Sequence, residues 1–324
     1  MAGRSRTRSW LHRSESRWAI RGLHVTVGYR RAMGVGPVEL VILGVAQDGG
    51  VPQAGCSCHR CVAALADPSL RRHPVACGVR GVDGSLHLIE ASRALPDHLA
   101  IWSSALRLDA GIRPDTVCLT HAHLGHIDGL GQFGTEAMGM VGVPLFASSS
   151  VIGAIERRGL ATPFECRAVE PGVGFQPSGG CGFEYALVPV PHRDEESDTH
   201  AVVIRGPEAS VLFLPDHDDW TQTLEMHGAD GIREWLSGLG VGIALLDGTF
   251  WDDSELPGRE FSQIPHPVIA ETLDRLGERR PEDPEILFVH MNHSNPALDE
   301  ASEEYGRVEA FGWSVAEQSS VLRL

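Results

Sequence analysis

Apolar positions fall into a regular pattern from residue 38 onward. The run 38–45 is a β segment that ends in the turn-forming cluster Gln47-Asp48-Gly49-Gly50. Further short apolar runs of strand character occupy 85–89, 115–119, 143–147, 183–190, 200–205, 211–214, 241–246 and 286–289. Helical periodicity predicts helices over 94–108, 132–140, 220–239 and 267–276. Strands interleaved with helices, and no repeat of solenoid period, favour a layered α/β domain over a bundle or an all-β sandwich.

Residues before Gly36 show no such pattern. They carry Arg4, Arg6, Arg8, Arg13, Arg17, Arg21, Arg30 and Arg31 against the single acid Glu15. This Arg- and Ser-rich stretch reads as an over-extended frame whose natural start is Met33, or as a basic presequence. Residues 1–36 are therefore set apart as an extension, and 37–324 as the folded domain. At 324 residues with 42% apolar content, the chain can bury one large core. No run approaches 18 apolar residues, which speaks against a membrane-spanning helix, and a pI near 5.4 speaks against a nucleic-acid surface. Seven cysteines without framework spacing fit a reducing, cytoplasmic setting.

The segment Thr120-His121-Ala122-His123-Leu124-Gly125-His126-Ile127-Asp128-Gly129 sets three imidazoles within six residues, directly after an apolar strand. A turn at a strand end breaks the alternation of side chains, so His121 and His123 can converge on one cation while His126 points to a second. Three clustered imidazoles alone would leave a metal weakly enforced, and more distant ligands are expected at other strand ends. His192, Asp216 and His290 each follow a predicted strand. Asp194 and Glu195 are further candidates for proton transfer beside the site. His217 adjoins Asp216 and should face away from it. His266, between two prolines, is left outside the ligand set.

The His-x-His-x-x-His run resembles the metallo-β-lactamase superfamily, whose signature is His-x-His-x-Asp-His. The resemblance implies a four-layer αββα sandwich with metals at one edge between two sheets. It also implies that His121, His123 and His192 with Asp216 form a first metal position, and His126 and His290 with a shared Asp216 a second. One departure matters: Gly125 stands where the family places the second metal's Asp. The second position is thus expected to be weak, with a single metal as the default. Asp128 could substitute for the missing carboxylate, but capping a helix that begins near Gly129 is its commoner role.

A second cluster, Cys56-Ser57-Cys58-His59-Arg60-Cys61, supplies three thiols in six residues. Such spacing points to a closed structural Zn site needing one more ligand, with a redox thiol cluster as the alternative. His293, three residues after His290, is the expected fourth ligand, and His59 the runner-up. Cys77, Cys118, Cys166 and Cys181 read as ordinary buried residues. The Cys-x-Cys-x-x-Cys insert, with His290-Met291-Asn292-His293-Ser294-Asn295-Pro296, is similar to the branch of the superfamily that contains pyrroloquinoline quinone biosynthesis protein B and its homologues.

The leading expectation is a metallo-hydrolase that uses Zn, or Fe or Mn in its place, to activate water against an ester, lactone, amide or phosphodiester. Asp216 and Asp194 are its catalytic carboxylates. A non-haem iron oxidoreductase of quinone-cofactor biosynthesis is the alternative, and a metal-bearing ligand-binding protein a third. A small-molecule substrate is expected, with no nucleic acid or membrane partner and a homodimer left open.

Overall fold

The computed structural model describes residues 36–109, 111–255 and 265–324. The expectation of an N-terminal extension falls almost wholly outside them. One sheet contains β1 (Glu39–Gly44), β2 (Ala76–Arg80), β3 (Leu86–Ile89), β4 (Thr116–Cys118), β5 (Val143–Ala147) and β6 (Phe164–Ala168). The other contains β7 (Glu184–Val190), β8 (Thr199–Arg205), β9 (Ser210–Leu214), β10 (Ile243–Asp247), β11 (Glu285–Val289) and β12 (Ser314–Val315). The last strand, β13 (Val321–Arg323), returns to pair with β1. The spatial orders are β13-β1-β2-β3-β4-β5-β6 and β12-β11-β10-β9-β8-β7.

Three cores separate four layers. Alternate residues of β1 and β9 serve two of them: Leu40, Ile42, Val211 and Phe213 pack between the sheets, whereas Val41 and Leu43, and Leu212 and Leu214, pack under helices. Both faces of the central strands are covered, which is why they read as continuous apolar runs. The helices are α1 (His59–Ala66), α2 (Leu95–Ala105), α3 (Leu124–Ile127), α4 (Ser149–Arg157), α5 (Trp220–His227), α6 (Ile232–Leu239), α7 (Ile269–Leu276) and α8 (Glu303–Ala310). Trp102 of α2 covers the first sheet, and Trp220 and Trp235 of α5 and α6 cover the second. This is the αββα sandwich expected. Among the described residues, no helix is long and apolar enough to cross a membrane.

Two helix expectations need correction. The stretch 220–239 is two helices, because Gly228 adopts a left-handed conformation (φ 61°) that closes α5. The stretch 132–140 contains only a short 3-10 turn, Leu130–Phe133, followed by turns in which Gly139 takes φ 60°. The expected cap is also absent, since Asp128 closes α3 and Gly129 precedes the 3-10 turn without any side-chain cap.

Candidate metal centre

The C-terminal ends of β1, β3, β4, β7, β9, β10 and β11 meet along one edge, because β1, β3 and β4 run in one direction and β7, β9, β10 and β11 in another common one. An isolated parallel bridge between Ala46 and Met291 joins the two sheets there. His121, His123 and His126 follow β4, His192 follows β7, Asp216 follows β9 and His290 follows β11. All six expected active-site ligands are thereby brought together.

The ligand atoms of His121, His123 and His192 lie within 4.8 Å of one another, as do those of His121, His126 and Asp216. Asp216 lies between the groups: its Oδ1 is 3.7 Å from His192 Nε2 and 3.5 Å from His290 Nε2, and its Oδ2 is 3.1 Å from His126 Nε2. A third group adds a residue with no sequence signal of its own. Asp48 Oδ1 is 3.3 Å from His126 Nε2 and 3.5 Å from His290 Nε2.

Around this centre the imidazoles are held by their outer nitrogens. Thr120 Oγ1 lies 2.8 Å from His121 Nδ1, Asp218 Oδ1 3.1 Å from His192 Nδ1, and Thr249 Oγ1 2.8 Å from His290 Nδ1. His126 is the exception: the fully buried Glu90 places Oε2 3.5 Å from its Nδ1 without a hydrogen bond between them. In each ring Nε2 is left for the interior, the arrangement that fixes metal-ligating histidines. His126 Nε2 and Asp216 Oδ2 are close, yet both are buried without a hydrogen-bond partner of proper geometry. Converging lone pairs that do not form donor–acceptor pairs fit a cation between them.

Electrostatics divide the imidazoles. Burial, with His126 nearby, holds His121 well below the usual imidazole range, and burial with His192 pushes His123 down to about 4. Both rings are neutral near pH 7 and competent as ligands. Burial opposes the charge on Asp216, but His290 and His126 outweigh it and hold its carboxyl well below the usual range. Burial likewise disfavours charged His126, and Asp216 and Glu90 reverse that, raising it well above an ordinary imidazole.

Other singled-out residues fall differently. Asp194 is exposed and joins none of these groups; the acid that approaches the ring of His123 is Glu195, with Oε2 3.9 Å from Nε2. His217 faces away as expected, fully buried with Nδ1 2.8 Å from Thr223 Oγ1. Asp128 does not converge with the ligands. His266, left outside the set, is buried with Nδ1 2.8 Å from Asp247 Oδ2. With Asp216, Asp247 and His290 it makes a fourth convergent group. Burial disfavours the charged form of His266, yet Asp247 prevails and raises its pKa. A lone His in a loop gave no sequence signal of this role.

The thiols of Cys56, Cys58 and Cys61 converge with His293 in a separate cluster. His293 Nδ1 is 3.6 Å from both Cys56 Sγ and Cys58 Sγ. Backbone N–H groups of Gln53, Cys58 and Cys61 donate to the sulfurs of Cys61, Cys56 and Cys58 at 3.3–3.4 Å. Arg60 donates to the carbonyl of His293. His59 is exposed and stands outside the cluster.

Residues 89–310 match the β-lactamase superfamily domain. The coenzyme PQQ synthesis protein B of Rhodopseudomonas palustris (strain TIE-1) is 30% identical over 320 residues, covering 86% of this chain and 97% of that protein. Its namesake from Nitrosococcus oceani is 26% identical over 311 residues, covering 85% and 96%. Among solved structures, Zn²⁺-bound PqqB from Methylobacterium extorquens superposes with a TM-score of 0.70 at 23% identity, covering 88% of this chain and 100% of that one. A diphosphatase of the PhnP family gives 0.62 at 23% identity, covering 89% and 98%. The matched domain, the relatives aligned over nearly their whole length and the shared four-layer fold lead to one conclusion: this chain belongs to the metallo-β-lactamase superfamily, in the branch of coenzyme PQQ synthesis protein B homologues.

Proposed function

We propose that the chain is a metal-dependent hydrolase of a small-molecule ester, lactone or phosphodiester. The observation that carries this reading is the open set of His121, His123, His192 and Asp216, in which the half-buried His123 reaches solvent while the other three are buried. A Zn²⁺ or Fe²⁺ held there would supply a Lewis acid and a water acidic enough to attack near neutral pH. The attacking oxygen bonds to carbon or phosphorus as the bond to the leaving oxygen breaks, and that oxygen needs a proton. His266 is the donor we assign: its Nδ1 lies 2.8 Å from Asp247 Oδ2, and Asp247 favours its protonated form. Asp216, held as carboxylate, keeps the imidazoles of both sheets in one array. The cluster of Cys56, Cys58, Cys61 and His293, with only protein ligands and four of them, serves as a structural zinc site.

A second reading is an iron oxidoreductase of quinone-cofactor biosynthesis. It is favoured by the names of the relatives, and His and carboxylate ligands suit Fe²⁺ as well as Zn²⁺. Protein purified without oxygen, analysed for metal and assayed for both O₂ uptake and hydrolysis of aryl phosphodiesters and lactones, separates the two. Hydrolysis lost with the His121→Ala variant and no O₂ uptake is the expected result. Iron-dependent O₂ uptake without hydrolysis would overturn the proposal in favour of the second reading.

A further inference from the structure

We propose that Asp48 is the carboxylate ligand of a second metal position, delivered from the turn after β1 into the space left by the absent side chain of Gly125. The inference rests on the metal-centre reading above, and it replaces the expectation of a single metal with that of two.

Three observations lead there. The first is steric. A Cβ at residue 125 would lie 2.0 Å from Asp48 Oδ1 and 2.2 Å from its Cγ, so the carboxylate of Asp48 fills the volume in which a side chain at 125 would begin. Gly125 lies in α3, and its φ is not in the left-handed region. Its glycine is therefore required by the neighbour and not by the backbone.

The second is geometric. Asp48 Oδ1, His126 Nε2 and His290 Nε2 form one convergent group, and Asp216 faces both imidazoles with its two oxygens. Two imidazoles, one terminal carboxylate and one shared carboxylate make a four-ligand shell for a divalent cation. The turn that carries Asp48 is pinned. Gly50 N–H donates to Gln47 O at 2.7 Å, Gln47 N–H donates to Met291 O at 2.9 Å, and the Arg93 guanidinium donates to Asp48 O. Asp48 and His290 are thereby fixed relative to each other across the junction of the sheets.

The third is charge. Asp48, Asp216 and Glu90 all place a carboxyl oxygen within 3.5 Å of the single buried ring of His126. Asp48 and Asp216 also face His290 Nε2 at 3.5 Å, and carboxyl oxygens crowded this closely in a buried site call for a cation among them.

The test uses the full chain, stripped with chelator and titrated with Zn²⁺ or Mn²⁺ alone, with bound metal counted by mass spectrometry. The parent is expected to take up two equivalents beyond the one at the thiol cluster. Asp48→Asn should lose one of these, its affinity at that position falling by more than the ~100-fold typical of losing an outer-sphere partner. In Mn²⁺-loaded protein the paramagnetic resonance of a coupled pair should give way to that of an isolated ion. Gly125→Asp alone should add no metal, because its side chain meets Asp48. The exchange Asp48→Gly with Gly125→Asp should restore the second equivalent, and it provides a second reading if Asp48→Asn fails to fold. A parent that holds only one active-site equivalent, or an Asp48→Asn variant that keeps parental count and affinity, overturns the proposal. If His121→Ala also leaves the count unchanged, the metal-centre reading itself falls; if His121→Ala loses metal and Asp48→Asn does not, only the role of Asp48 falls.

Discussion

The two ligand clusters share a stretch of chain yet are built on opposite plans. The thiol cluster takes three of its four ligands from six consecutive residues and the fourth from His293. The His and carboxylate centre gathers its six ligands from four strand ends spread over both sheets, with its imidazoles backed by Thr120, Glu90, Asp218 and Thr249. A local cluster needs its metal to hold a short loop together, whereas a dispersed one is already held by the sheets. Metal should therefore stabilise the fold at the first and supply chemistry at the second.

The largest expected effect tests the dispersed centre. Asp216→Ala should lower active-site metal affinity by well over ~100-fold and abolish turnover, while circular dichroism stays that of the folded parent. Unfolding of this variant would erase the distinction between the clusters. Next, Cys58→Ser should lower the melting temperature by on the order of 10 °C through loss of the thiol-bound metal, with turnover per folded molecule changed far less. A variant as stable as the parent would mean that the thiols hold no structural metal. Acid probes the scaffold outside the clusters, at two buried histidines of β3 and α2. Burial pushes His87 and His98 down to about 4 and about 3, below the ordinary value near 6.5. The unfolded chain thus binds protons that the native rings refuse, so stability present above pH 6.5 is lost as pH falls toward 4, by on the order of several kcal/mol. Denaturant unfolding of chelated protein between pH 7 and 4 measures it, and a flat profile would contradict it. The smallest effect is Thr249→Val, expected to weaken active-site metal ~10- to 100-fold through His290 while leaving the thiol cluster untouched.

What the sequence made legible follows the same division. Ligands close together in sequence, in His-x-His-x-x-His and Cys-x-Cys-x-x-Cys, could be read from spacing alone, and the strand ends at His192, Asp216 and His290 from apolar runs before them. Asp48 could not, because Asp before Gly-Gly is an ordinary turn residue and only the meeting of the turn after β1 with the loop after β4 sets it against Gly125. His266 was not legible because a lone His in a loop is more often a surface or helix-start residue. Among the elements, β2 was obscured by Cys77-Gly78 in mid-strand, and β6 by its exposed polar positions at the sheet edge. Gly78 is needed there because a Cβ would lie 2.4 Å from the ring of Trp102.

Glu90 carries a consequence for how this fold could evolve. Its φ of 68° lies in the left-handed region, where glycine sits without steric cost and a glutamate does not. Its side chain is also wholly buried, taking the Thr120 N–H on Oε1 at 3.0 Å and leaving Oε2 without a hydrogen-bond partner beside His126. Backbone and burial both work against this residue, and only the Thr120 N–H and the nearby ring of His126 work for it. Stability and the proposed metal binding are therefore in direct opposition at a single position. A lineage released from the need for metal would drift there toward glycine and gain a sturdier fold, so residue 90 is the place where a descendant that had abandoned the metal would first show it.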